Sequence, residues 1–220
     1  MKNLLKTGLF IGLILLFAGN AWALPLQGDT VKMNYGTGYE HYGMTIYDSV
    51  NGSTKGDFFN TFCVEKNEYF SQNGLYNVDS VTNYAENGGR GYDTDGLSSA
   101  AEKKDYISDV SIWLYASYFN GVFGERSYAL GYDVQKAIWF EEDEYLDTNT
   151  SMFNIWNGFV SQANNDFTVT GWDIQVVNLS QNDVHKQSQL VGAPVPEPAT
   201  VVLFGIGLLG LSGFGRRKIK

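Results

Sequence analysis

The 220-residue sequence holds a single cysteine, Cys63, in the triplet Phe62-Cys63-Val64. Far downstream lies Val134-Gln135-Lys136-Ala137-Ile138-Trp139. A thiol is a nucleophile and a primary carboxamide is a poor electrophile. They react only when the fold replaces collision with a held near-attack geometry. The product is an internal thioester, with ammonia released. Cys63 is otherwise a buried, inert side chain, or a partner in a disulfide between chains, because it has no second cysteine in its own chain.

Two segments must position these groups. Asp57–Glu65 alternates as a strand does. Phe58, Asn60, Phe62 and Val64 face one way, and Phe59, Thr61, Cys63 and Glu65 the other. After Gly131 a helix is expected over Val134–Tyr145, with Asp133 as its N-cap. This places Gln135 in the first turn, where free N–H groups and the positive dipole end favour a thiolate and an oxyanion. Trp139, one turn on, shares its face.

The pair of stretches resembles the thioester domains found at the tips of surface adhesins of Gram-positive bacteria. The resemblance implies that Cys63 supplies the thiol, Gln135 the acyl group and Trp139 the motif aromatic. Trp139 and Phe62 are expected to shield the bond from water. An amine from another molecule, most simply a lysine, would attack the Gln135 acyl carbon and return Cys63 as a thiol. This is a single covalent event rather than enzymatic turnover, and no cofactor is expected. The family belongs to a different cell envelope, so the target need not be a host protein.

The chain ends point to export. Lys2 and Lys6, the apolar run Leu9–Phe17 and Ala21-Trp22-Ala23 form a Sec signal peptide over residues 1–23, with cleavage between Ala23 and Leu24. Near the other end stand Pro196-Glu197-Pro198, the apolar stretch Ala199–Phe214 and the basic Arg216, Arg217, Lys218 and Lys220. Such a stretch is a candidate transient membrane span with its basic end inside. This order resembles the PEP-CTERM sorting signal. The resemblance implies that an exosortase cleaves near the motif of a Gram-negative exported protein. It also implies a cell-surface, outer-membrane or extracellular-matrix location, in an exopolysaccharide or biofilm setting.

Between the ends lie about 170 residues, enough for one domain. The formal net charge is −9, and the middle has no basic block, which excludes a nucleic-acid footprint. Strands are expected within 24–82 and 166–191, including His41–Tyr47, Phe167–Leu179 and Lys186–Val191. Helices are expected within 98–165: one from Ser98 to Asn120, one over Val134–Tyr145 and one over Ser151–Ala163. The expected fold is α+β, an antiparallel sheet or barrel-like core with an inserted bundle of three helices. Residues 192–220 are expected to form the linker and sorting tail.

Other chemistry is weaker. His41 and His185 have no motif context, so a Cys–His hydrolase finds no partner for Cys63. Asp93, Asp95, Gly96 and Glu102 resemble part of a calcium loop, but Gly91 stands where the first ligand belongs, and a solvated turn is the simpler reading. Glu141-Glu142-Asp143-Glu144 is expected on a solvated face. No metal site is expected. The second functional reading is a non-covalent matrix- or polysaccharide-associated protein, with Cys63 structural and the aromatic residues as core.

Overall fold

Strand alternation dominates the first half of the exported region, and it closes on itself. A computed structural model describes residues 24–35, 42–48, 53–66, 68–86, 103–144 and 150–195. The chain from Ala23 to Ala193 clusters as one compact unit. Its main strands are β1 (Thr30–Tyr35), β2 (Tyr42–Asp48), β3 (Ser53–Cys63), β4 (Leu75–Thr82), β7 (Trp172–Gln181) and β8 (Val184–Pro194). They form a closed barrel in the order β1-β2-β3-β8-β7-β4. A short antiparallel pair, β5 (Tyr84–Glu86) and β6 (Lys104–Tyr106), stands apart from it. Helices α1 (Asp109–Phe119), α2 (Tyr128–Glu141) and α3 (Thr150–Val160) follow, and a 3-10 turn at Ser161–Ala163 ends the helical part. The fold is α+β, an antiparallel barrel carrying three helices among the described residues, as the sequence predicts.

Two apolar clusters hold the unit together. One packs inward-facing side chains of the barrel: Val31, Met33, Met44, Phe59, Cys63, Tyr76, Val78, Val177, Leu179 and Val191. The other packs the outer side of β3, β7 and β8 against the helices, through Phe62, Val64, Val176 and Leu190 with Leu114, Tyr118, Val134 and Ile138. Those three strands are thus covered on both faces, with alternate residues of β3 going to different clusters. β7 and β8 are joined at Asn182 and Asp183, both with positive φ (54° and 60°). Two successive left-handed residues are what a tight type I′ hairpin requires.

Several boundaries differ from expectation. The first helix begins at Asp109, capped by Ser108, whose hydroxyl accepts from Ser111 N. Tyr106 belongs to β6, because its segment pairs with β5. The second helix begins at Tyr128, capped by Ser127, whose hydroxyl accepts from Leu130 N. Asp133 is therefore inside the helix, where it pairs with Lys136 at 3.0 Å. Residues 192–194 continue β8 rather than opening a linker. The expected solvated turn with Asp93, Asp95, Gly96 and Glu102, together with His41, Ala23 and the motif Pro196-Glu197-Pro198, lies outside the described residues. Among the described residues no helix is long and apolar enough to cross a membrane. The apolar stretch 199–214 is outside them.

Candidate functional site

β3 ends at Cys63, and its two neighbours end at different points. β2 is paired to β3 as far as Tyr42↔Thr61, while β8 continues to Cys63↔Gln189. Cys63 therefore presents a backbone N–H and C=O on the side where the described part of β2 has stopped. Buried backbone groups must find partners. Here the partner is a side chain from α2. Cys63 N donates to Gln135 Oε1 at 2.7 Å, and Gln135 Nε2 donates to Cys63 O at 2.7 Å. Both residues are 0% exposed. The structure thus brings Cys63 and Gln135 together through a two-bond clamp.

The expected source of catalytic polarity needs correction. Gln135 is not in the first turn of its helix, because Ser127 starts α2 two turns earlier. The helix N-terminus is too far along the chain to act on its carboxamide, since dipole effects fade within the first turn. The donor at the Gln135 oxygen is the N–H of Cys63 itself.

The sulfur has its own neighbours. Gln189, directly across the sheet, places Nε2 3.4 Å from Cys63 Sγ, and its Oε1 accepts from Thr61 Oγ1 at 2.8 Å. Tyr42 hydrogen-bonds the thiol from β2, and its ring meets Phe70 at 5.0 Å and Tyr35 at 6.2 Å. Burial pushes the Cys63 thiol far up. Hydrogen bonds from Gln189 and Tyr42 lower it only partly, and the Glu65 carboxylate raises it further. The group is a neutral thiol at physiological pH. Tyr42 is likewise raised, first by burial and then by Cys63.

The two expected shields separate. Trp139 is 9% exposed and belongs to the same cluster as Cys63. Phe62 does not cover the sulfur. Neighbouring strand residues point to opposite faces, so Phe62 packs in the helical cluster against Tyr115 and Tyr118 at 5.9 and 5.4 Å.

The acidic run at the end of α2 is not solvated. Glu142 is buried and accepts from Ser108 N at 3.2 Å and Ser108 Oγ at 3.0 Å, at the start of α1. Burial, more than Asp105, pushes its carboxyl up to about 8, against hydrogen bonds from Ser111 and Ser108. Glu144 is also buried and accepts from Lys66 N at 3.0 Å, and Glu141 accepts from Trp156 Nε1 at 2.6 Å. These carboxylates tie α2 to the chain leaving β3, to α1 and to α3. Nor is His185 a surface residue: its ring lies between Glu65 and Glu68. Sequence reasoning missed Gln189, Glu65 and His185. Only Glu65 carried a signal, since it shares the alternation face of Cys63.

Among known proteins, residues 194–218 match the PEP-CTERM protein-sorting motif. No curated protein and no solved structure matches the chain, so the resemblance to adhesin thioester domains gains no support from known relatives. The match begins at Pro194, the last residue of β8. This motif implies export to the cell envelope or surface and recognition of the C-terminus by an exosortase.

Proposed function

We propose that Cys63 and Gln135 form an internal thioester, and that the exported domain uses it to attach covalently to an amine-bearing partner at the surface or in the matrix of a Gram-negative cell. The observation that carries this reading is the clamp: two bonds of 2.7 Å hold the Gln135 carboxamide against the residue that bears the only thiol. The Cys63 sulfur adds to Gln135 Cδ. The Cys63 N–H already meets the oxygen on which negative charge develops, which is the place for an oxyanion donor. The thiol proton passes to the Gln135 nitrogen, the C–N bond breaks, and ammonia leaves. The thiol is neutral, so proton transfer and C–S bond formation are coupled. A later amine attacks the same carbon, forms an amide, and returns the proton and electron pair to sulfur as a thiol. Trp139 keeps water from the bond between these events.

Intact-mass measurement of freshly made protein, with and without methylamine, tests the reading. A chain lighter than its sequence by one ammonia, which takes up one methylamine and then exceeds its sequence mass by one methylene, is the expected result. Full sequence mass and no methylamine uptake would falsify it.

A second reading has its own observation. The same clamp satisfies an otherwise unpaired stretch of β3, and an inert core cysteine would also be buried and neutral. On that reading the domain is a non-covalent matrix or polysaccharide-associated protein. Cys63→Ala then leaves surface association intact, whereas the covalent reading requires its loss.

A further inference from the structure

We infer that Glu65, Glu68 and His185 form a binding site for a single divalent transition-metal ion of the zinc type. The site lies where the chain leaves β3 and where β8 begins, two residues beyond Cys63. It stands on different residues from the thioester chemistry and is independent of that reading.

Three observations converge. The first is composition. One imidazole and two carboxylates place their potential ligand atoms within 4.8 Å of one another. A nitrogen with carboxylate oxygens favours zinc and its first-row neighbours, whereas calcium and magnesium take oxygen sets.

The second is unmet bonding capacity. Glu65 is fully buried, and among the described residues its Oε1 has no hydrogen-bond partner. Glu68 Oε2 and His185 Nε2 are also buried atoms without one among the described residues. Each such buried group is costly unless something supplies the missing contact. Glu65 Oε2 is held by Ser188 N at 2.8 Å, which fixes the carboxylate and leaves its other oxygen available.

The third is distance. His185 Nε2 lies 3.6 Å from Glu65 Oε2 and 3.4 Å from Glu68 Oε2. Charge-assisted hydrogen bonds close to about 2.7–2.9 Å, so these two ion-pair contacts are longer than the optimum for such bonds. Ligand bonds of about 2.0–2.1 Å around tetrahedral zinc, however, set neighbouring ligand atoms about 3.3–3.4 Å apart. The His185 Nε2–Glu68 Oε2 distance matches that spacing, and the free oxygen Glu65 Oε1 belongs to the carboxylate whose Oε2 stands 3.6 Å from the imidazole. Three protein ligands leave a fourth position for water.

The local field also favours a cation. Glu86 and Glu144 add negative charge around the imidazole and Glu68, and Lys186 offsets it only in part. The bound ion would join the segment after β3 to the first residues of β8. It would thus brace the sheet beside the Cys63–Gln189 pair.

The test uses the full-length chain in detergent micelles, stripped with a chelator and titrated first with Co²⁺ and then with Zn²⁺. One equivalent of Co²⁺ is expected, with visible d–d absorption that Zn²⁺ displaces, and Zn²⁺ should raise the thermal midpoint. Glu68→Gln keeps the side-chain shape and should weaken binding at least tenfold, as should His185→Ala. Cys63→Ala should leave the stoichiometry unchanged, which separates this site from the thiol. Absence of saturable binding, unaltered affinity in Glu68→Gln, or loss of binding in Cys63→Ala would each overturn the assignment. The mass deficit that tests the thioester reading is scored separately and does not enter these outcomes.

Discussion

The two flanks of Cys63 hold it in different ways. On the α2 flank, Gln135 spends both polar atoms of its carboxamide on the Cys63 main chain and reaches no other residue. On the β8 flank, Gln189 aims its amide nitrogen at the sulfur and anchors its oxygen on Thr61. A helix side chain thus closes a strand edge, while a strand side chain attends the thiol. A carboxamide near a cysteine is therefore not one role but two. The donor on the carboxamide oxygen distinguishes them: the Gln135 oxygen meets an N–H, and the Gln189 oxygen meets a hydroxyl.

The strongest way to break this contrast is Gln135→Ala. It should abolish the ammonia deficit altogether. Two buried backbone groups would also lose their partners, at a cost of about 2–5 kcal/mol in urea unfolding. A deficit that persists in this variant would make Gln189 the acyl donor and reverse the assignment. Gln189→Ala comes next. It should slow the appearance of the deficit without preventing it, and cost about 1–2 kcal/mol, since one neutral hydrogen bond to Thr61 is lost. Time-resolved mass spectrometry after refolding separates the two variants.

A smaller effect is expected at Trp139. Trp139→Leu keeps an apolar side chain but opens space beside the bond. Uptake of methylamine should quicken roughly tenfold, equivalent to about 1.4 kcal/mol of barrier. Phe62→Leu, on the opposite face of β3, should leave that rate unchanged, and a matching acceleration would contradict the facing described here.

The weakest expected influence on Cys63 comes from Glu142, which docks the end of α2. Its folded value, about 8, lies above the ordinary carboxyl value of 4.5. The folded state therefore binds the extra proton between those limits, and stability falls as pH rises from about 4.5 to about 8. Urea midpoints should decline across that window in the native chain and stay level in Glu142→Gln.

Residue type and order alone pointed to Cys63 and Gln135, because a lone thiol and a distant carboxamide motif are visible without a fold. The fold class was also legible, from alternation in β3 and helical spacing after Gly131. The position of Gln135 within its helix was not. Ser127 and Asp133 are both acceptable caps, and the fold uses Ser127, whose hydroxyl accepts from Leu130 N, with Gly131 buried in the first turn. Gln187-Ser188-Gln189 lies within the expected strand Lys186–Val191, but three polar residues in a row give no sign of burial, and all three are buried. Their partners, Glu65, Asn178, Thr61 and Cys63, come from other strands, so the pattern depends on register that local sequence does not encode. The acidic run at Glu141–Glu144 was obscured for the same reason: its acceptors meet donors far along the chain.

β8 runs without a spacer into the segment that an exosortase recognises, since both meet at Pro194. Any tension on an anchored tail would enter the domain along this strand. β8 lies antiparallel to β3, with Cys63 opposite Gln189. A pull along the strand axis loads their rungs together rather than unzipping them one by one. Cys63 would then sit among the rungs that bear such a load.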